Sequence, residues 1–174
     1  MIYKFDLTET EIIGILSQFQ KDYSEDKTLT DRPQMTSRIK KYLVDLGYKN
    51  GFGVCCSEFG DRKAWLYDLV WYKNNSEKYK EHKFQILESI PLVVESEIDA
   101  RINEIKLDFE KLLLANSEHR LMICFLGKND SDFLKQYFID SINSYNLCKK
   151  GDRFLIAIFD ENEGEFEFML SIKE

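Results

Sequence analysis

The stretch PLVVESEID, residues 91–99, combines the pattern of a buried strand with an unusual pair of charges. Four apolar residues, 91–94, are followed by Glu95 and Glu97. Residues two apart in a strand point to the same face, so these carboxylates are expected side by side where a buried strand ends. Like charges held that close repel each other. Either this end of the strand is solvated, or a positive charge lies between the two acids.

The rest of the chain predicts further helices and strands in a mixed order. Apolar residues recur at helical spacing in some segments and at every second position in others. The run 120–126 is nearly continuously apolar, which is typical of a strand buried on both faces after a crossover helix. In chain order, the predicted elements are a helix within 8–20, a polar loop over 21–34, a helix over 36–46, strands over 51–57, 64–73 and 90–97, a helix over 98–116, a strand over 120–126, a helix over 131–145, and strands over 153–160 and 165–172.

Local signals place the ends of several elements. Thr8 followed by Glu11 resembles a capping box at the start of the first helix. Gly47 is expected to end the second helix, and Gly60 with Asp61 predicts the turn of a hairpin between the first two strands.

The composition is that of one globular domain covering residues 1–174, with 44% apolar and 14% aromatic residues. No run approaches the roughly 20 apolar residues of a membrane helix, and the N-terminus lacks a basic region followed by an apolar one. A soluble cytoplasmic protein with no membrane partner is expected. The four cysteines show no CxxC spacing, so buried reduced thiols are predicted rather than a zinc site.

The charge balance limits how the chain can bind nucleic acid. With 24 basic and 31 acidic residues, the net charge of −7 opposes strong non-specific binding to a phosphate backbone. Binding would need a local basic patch or a second molecule. The best candidate for a basic patch is a lysine cluster that two glutamates interrupt. Such a run is usually a solvated loop. Its lysines are Lys73, Lys78, Lys80 and Lys83.

Three carboxylates form the candidate site: Asp68 in the second predicted strand, and Glu95 and Glu97 at the end of the third. If these strands are antiparallel neighbours, the three acids can converge on one point. Convergent carboxylate oxygens suit Mg²⁺ or Mn²⁺. A divalent ion there would also remove the repulsion between Glu95 and Glu97.

These residues and the order of elements resemble the restriction-endonuclease-like nucleases, the PD-(D/E)XK superfamily. Its core is a helix, a three-strand antiparallel meander, a crossover helix and a further strand, and the resemblance covers roughly the middle half of the chain. It implies a mixed α/β (α+β) domain with an extra N-terminal helix and a C-terminal hairpin. It further implies that Asp68 and Glu95 bind the metal, with the carbonyl of Ser96 as the candidate for a further ligand.

Glu97 stands where the family's motif has a lysine, so the motif here is E-x-E. The resemblance implies that Glu97 binds a second metal ion or orients the attacking water. Lys111 is the candidate for a lysine moved onto the following helix. Fourteen residues at ~1.5 Å each would place it roughly 20 Å down the helix axis, so it is expected to lie too far away. Asp108 and Lys111 are instead expected to form a pair at helical spacing, and Arg101 is a candidate phosphate contact.

The expected function is that of a Mg²⁺-dependent endonuclease, a hydrolase acting on phosphodiester bonds, with DNA preferred over RNA as substrate. Restriction, repair or defence are the expected settings. The alternative is a nuclease-like domain that has lost catalysis and acts as a binding or assembly module, since a fold does not fix a function.

The closing hairpin, the aromatic residues and the histidines leave alternatives open. The last strand either extends the sheet or pairs two subunits as a homodimer. Trp65, Tyr67 and Trp71 share one face of the second predicted strand, where core, dimer interface and base stacking are all compatible with period two. His82 and His119 lack ligand partners at helical spacing and are expected at the surface.

Overall fold

The computed structural model of the chain describes residues 3–26, 29, 31–62, 65–75, 81, 84–98, 101–126 and 128–174, with only the backbone described at 128–130. This part of the chain forms four helices and six strands, which confirms a mixed α/β architecture. In chain order they are α1 (Leu7–Glu25), α2 (Arg32–Lys49), β1 (Gly53–Cys56), β2 (Leu69–Asn75), β3 (Ile86–Glu97), α3 (Ile102–Leu114), β4 (His119–Leu126), α4 (Lys128–Ser144), β5 (Arg153–Asp160) and β6 (Glu165–Ile172).

The six strands form one mixed sheet in the order β1-β2-β3-β4-β5-β6. Strands β1, β2 and β3 are an antiparallel meander, β3, β4 and β5 run parallel, and β6 returns antiparallel to β5. The predicted meander, the parallel strand after a crossover helix and the closing hairpin are therefore confirmed. Strand β6 extends the sheet, and pairing of two subunits along it stays a prediction.

Helices cover both faces of the sheet. Helices α1 and α2 pack on one face, where Leu16 and Leu43 join Val94 of β3 in one apolar cluster. Helices α3 and α4 pack on the other face, where Phe109 and Phe138 join Val93 in a second cluster. Because alternate residues of β3 point into two separate cores, its central residues 90–94 form a continuous apolar run rather than an alternating one.

The ends of the two N-terminal helices differ from the prediction. Asp6, rather than Thr8, caps α1: its side chain accepts the backbone N–H of Glu9, and the Glu9 side chain accepts the backbone N–H of Asp6. The sequence contains two overlapping capping patterns, and the one used is the one whose glutamate is also bound by Arg153. Gly47 lies within α2, which continues to Lys49.

Strand β2 begins at Leu69, so Asp68 precedes the strand instead of lying in its middle. The described residues 65–68 are not in regular structure. The late start of the strand has a local cause. The Asp68 carboxylate accepts the backbone N–H of Ser96 at 2.9 Å and so replaces a backbone acceptor where the pairing of β2 with β3 ends. The other predicted elements lie where expected, with ends displaced by a few residues.

The cysteines match the expectation from composition. Cys55, Cys56, Cys124 and Cys148 are all buried free thiols. Over the residues that the structure describes, no helix is both long enough and apolar enough to span a membrane.

Two helical glycines should respond in opposite ways to alanine. A methyl group on Gly47 would lie 2.6 Å from Nε1 of the buried Trp71, which donates to the carbonyl of Leu43, and 2.8 Å from Cγ2 of Val54. Gly47→Ala should therefore lower the free energy of unfolding by ~1–3 kcal/mol, despite the better helix propensity of alanine. Gly14→Ala in α1 meets no atom within 4 Å and should raise it by up to ~1 kcal/mol. Urea unfolding measures both, and stabilisation by both substitutions would contradict this packing.

Candidate active site

The candidate site lies at the carboxyl end of β3, where the antiparallel ladder with β2 ends. Leu69 pairs with Val94, so the register brings Asp68 next to Glu95. Glu95 is only 1% exposed and points to the same face as Val93, the face that α3 covers. A carboxylate placed there loses nearly all its contact with water, which is costly unless a proton or a positive charge compensates it.

Lys111 of α3 supplies that positive charge. Its Nζ lies 2.9 Å from Oε1 of Glu95 and 2.8 Å from Oδ1 of Asp108. The prediction that Lys111 lies too far from the site is wrong, because it assumed that α3 continues in the direction of β3. Strand β4 is parallel to β3, so α3 has to return over β3, and its third turn passes Glu95. The predicted pair of Asp108 and Lys111 is confirmed.

The protonation of this pair follows from burial and charge. Burial raises the pKa of Glu95 to about 8; Lys111 lowers it, and the charges of Asp68 and Asp108 raise it. Burial lowers the pKa of Lys111, but Asp108 and Glu95 outweigh that effect and raise it to about 12. The lysine therefore stays charged while Glu95 exchanges its proton near neutral pH. Oε1 of Glu95 is buried and has no aligned hydrogen-bond donor despite the short distance to Lys111.

Asp68 is held from the other face of the sheet. Its Oδ1 lies 3.2 Å from Nζ of Lys40, a buried lysine of α2, and its Oδ2 accepts the N–H of Ser96 at 2.9 Å and the hydroxyl of Ser96 at 2.8 Å. Ser96 and Glu95 are consecutive in β3 and point to opposite faces. Each acid thus contacts a lysine from a different helix: Lys40 from α2 for Asp68, and Lys111 from α3 for Glu95.

The three acids that were predicted to converge do not form one cluster of ligand atoms. Within the described part of the chain, Asp68, Glu95 and Glu97 do not form a set whose ligand atoms all lie within 4.8 Å of one another. Glu97 is the last residue of β3, is half-buried and pairs in register with Cys124. Ser96 contributes its N–H and hydroxyl to Asp68, and the role of its carbonyl as a metal ligand stays a prediction.

The two predicted nucleic-acid contacts lie apart from each other. Arg101 is the exposed N-cap residue of α3, with Nη1 3.8 Å from Oε1 of Glu104. Lys73 is exposed on β2, 3.8 Å from Glu88, and five residues beyond Asp68 along the chain, roughly 16 Å at strand spacing. The remaining residues of the predicted basic patch, and one histidine, lie outside the described residues: Lys78, Lys80, His82 and Lys83.

A second polar cluster, which sequence reasoning missed, joins α1 to the sheet. Nε2 of His119 lies 2.6 Å from Oδ2 of Asp6, and Nδ1 lies 3.1 Å from the carbonyl of Pro91, so the surface position predicted for His119 is wrong. Among the residues that the structure describes, Asp6, Glu9 and His119 form a group that could geometrically hold a metal ion. However, Arg153 donates to both oxygens of the Glu9 carboxylate, at 2.8 and 2.6 Å. That guanidinium already balances the acids, so the cluster acts as a structural anchor. The sequence prediction chose Thr8 and Glu11 as the capping box, and the local signal for this cluster is the same spacing between Asp6 and Glu9.

Comparison of the chain with models of protein families, with curated proteins and with solved structures finds no significant match. The site is therefore defined by its own residues: the buried Glu95, its contact with Lys111, and the neighbouring Asp68.

The raised pKa of Glu95 should make stability depend on pH. Its folded-state pKa of about 8 lies above the ordinary 4.5, so the folded protein holds a proton that the unfolded chain has lost between these values. The free energy of unfolding should fall by at most ~1.4 kcal/mol per pH unit from about pH 5 to about pH 8. Glu95→Gln removes this contribution, so its stability relative to the native protein should grow across that window and level off above it.

Urea unfolding of the native protein and the Glu95→Gln variant at a series of pH values measures this difference. Glu118→Gln, at an exposed position, is the matched control for the loss of one carboxylate. A constant difference for Glu95→Gln would contradict the assigned pKa.

Proposed function

We propose that the chain is a metal-dependent nuclease that hydrolyses phosphodiester bonds, with DNA preferred over RNA. The observation that carries the proposal is the 2.9 Å contact between Nζ of Lys111 and the buried Oε1 of Glu95. The nuclease superfamily that the sequence resembles uses two acids and a lysine. Position 97 lacks the lysine, and Lys111 of α3 supplies one beside the second acid.

The order of elements supports the same proposal. Helix α2, the antiparallel strands β1 to β3, the crossover helix α3 and the parallel strand β4 follow the order of the restriction-endonuclease-like core. The proposed fold assignment treats α1 as an N-terminal addition and the β5–β6 pair as a C-terminal one. The two acids of the motif would then be Asp68 at the start of β2 and Glu95 near the end of β3.

The donor set fits a divalent cation. Oε1 of Glu95 is a buried carboxylate oxygen with no aligned hydrogen-bond donor, and Mg²⁺ and Mn²⁺ prefer such oxygens. Asp68 and Glu95 would hold the ion, with the carbonyl of Ser96 and the carboxylate of Glu97 as further ligands. When bound, a divalent ion lowers the pKa of water and neutralises charge on the phosphate.

The chain's own residues would divide the remaining work. Lys111 is charged and held by Asp108 at 2.8 Å, so its ammonium is fixed where it can donate to a phosphate oxygen or to the attacking water. Glu95, with a pKa of about 8, becomes a stronger cation ligand as it loses its proton. Lys40 holds Asp68 on the other face, which positions that acid for the shared site.

The alternative function is a nuclease-like module that binds or assembles without cleaving. One observation favours it: both oxygens of Asp68 are already engaged, Oδ1 by Lys40 and Oδ2 by Ser96. If these contacts persist when a divalent ion is present, Asp68 is a structural acid and the site is inactive. Assembly as a homodimer through the edge strand β6 would fit this alternative as well as the enzyme.

A cleavage assay with matched lysine variants tests the enzyme. The native protein should cut DNA in the presence of Mg²⁺ or Mn²⁺, and Lys111→Met should lower the rate by ~100-fold or more because the positioned charge is lost. Lys106→Met on the same helix is the control. Lys106 is exposed and contacts Glu110 at 3.0 Å, so its loss should leave the rate unchanged.

Two outcomes would contradict the proposal. Metal-dependent cleavage that survives Glu95→Ala would place the activity at another site or in a contaminant. Absence of cleavage of DNA and of RNA with either metal would favour the binding module.

A further inference from the structure

A cavity of about 290 Å³ lies between the start of α4 and the hairpin of β5 and β6, and it is called the hairpin cavity. Leu126 and Asp160, the last residues of β4 and β5, pair in register at its wall. The hairpin cavity therefore lies at the carboxyl ends of two parallel strands, the edge at which open α/β sheets bind ligands. Ile156 is the residue of β5 level with Glu95, and Asp160 lies four residues further on, roughly 13 Å along the strand. The hairpin cavity is thus separate from the candidate active site.

Two carboxylates face each other across the hairpin at this cavity. Asp160 pairs in register with Glu165, so the two side chains leave the same face of the sheet with their Cβ atoms ~5 Å apart. Ile158, two residues before Asp160, belongs to the apolar cluster below α4, which identifies this face as the one that α4 covers. Like charges directly opposite each other destabilise a strand pair. A cation between Asp160 and Glu165 would remove that repulsion.

The lysine at the hairpin cavity is already engaged by other acids. Nζ of Lys135 in α4 lies 2.5 Å from Oε2 of Glu167 and 3.5 Å from Oδ1 of Asp132. Within the described part of the chain, it forms no ion pair with Asp160 or Glu165. The described lining therefore holds five carboxylates against one ammonium group, and these carboxylates belong to Asp132, Asp160, Glu163, Glu165 and Glu167.

A buried hydroxyl at the hairpin cavity also lacks a partner. Ser131 of α4 lines the cavity and is 9% exposed, and its Oγ has no hydrogen-bond partner. Native structures normally satisfy a buried hydroxyl, because leaving it unpaired is costly. Leu126 and Ile158 add buried apolar side chains to the same wall. The hairpin cavity thus combines an excess of negative charge, an unpartnered hydroxyl and apolar surface.

We propose that the hairpin cavity binds an aliphatic amine, with polyamines such as spermidine as the ligand class. An ammonium group between Asp160 and Glu165 offsets their repulsion, and a further N–H of the ligand donates to the hydroxyl of Ser131. The methylene chain of such a ligand packs on Leu126 and Ile158. This site does not depend on the proposed nuclease function.

The spacing of the acids favours an amine over a divalent metal ion. Among the described residues, the carboxylates of the hairpin cavity do not form a group of three whose ligand atoms all lie within 4.8 Å of one another. A metal ion needs several oxygens that converge on one point. The ammonium groups of a polyamine are spaced along a chain, so each can donate to one or two carboxylates.

Titration calorimetry of the metal-free protein with spermidine, at physiological ionic strength, tests the site. Saturable binding is expected. Glu165→Gln should weaken it by ~10-fold or more, because a charge-assisted hydrogen bond is lost. Ser131→Ala should weaken it by roughly 2- to 10-fold through the loss of one hydrogen bond. The effect of Ser131→Ala separates a built cavity from general attraction to an acidic surface, because this substitution leaves the charge unchanged.

Glu118→Gln is the matched control for charge. It removes one carboxylate at an exposed position just before β4, at the opposite end of the sheet, and should leave the affinity nearly unchanged. Urea unfolding without spermidine shows that each variant is folded. In that measurement Glu165→Gln should be at least as stable as the native protein, because the repulsion across the hairpin is relieved.

Three results would overturn the amine site. The first is a native protein that shows no saturable binding of spermidine. The second is an equal loss of affinity in Glu165→Gln and Glu118→Gln, which would show that spermidine responds only to the net charge of the chain. The third is an unchanged affinity in either Glu165→Gln or Ser131→Ala. None of these results depends on nuclease activity, because the protein is free of metal throughout.

Discussion

The parallel pairing of β3 with β4 is the constraint on which the site depends. A chain that leaves the end of β3 and enters β4 in the same direction has to travel back along the sheet, and α3 makes that return. The return covers the face of β3 on which Glu95 lies, which buries the acid, and it brings Lys111 to 2.9 Å from it. Burial of the acid and the lysine that compensates it are thus two results of one topological requirement.

The charge pattern at the end of β3 has a different solution from the one its sequence suggests. Two glutamates on one face call for a nearby cation, and the structure provides Lys111 together with a proton, because burial raises the pKa of Glu95 to about 8. Asp68 is compensated in the same way by Lys40 from the opposite layer. Two acid–lysine pairs, one on each face, therefore meet at one end of the sheet. A divalent ion would compete with these lysines for the carboxylates.

The sequence predicts the architecture better than it predicts the site. The strands β5 and β6 are as predicted to the residue, because a continuous apolar run, an alternation of charged with aromatic residues and a four-residue turn are local signals. Asp68 was assigned to the middle of a strand because its neighbours are apolar, whereas its carboxylate ends the ladder by binding Ser96. The sequence puts Lys111 too far from Glu95 and does not indicate the contact of Arg153 with Glu9, because each contact joins residues whose proximity depends on how whole elements pack. No periodicity in the sequence encodes such a distance.

Binding of Mn²⁺ as a function of pH, measured by titration calorimetry, tests the central claim most directly. A cation held by Glu95 has to displace its proton, so affinity should rise by up to ~10-fold per pH unit below about pH 8 and level off above it. Glu95→Gln should abolish this binding, although the Asp6, Glu9 and His119 cluster is intact in that variant. An affinity that is independent of pH, or that survives Glu95→Gln, would contradict a metal site built on Glu95.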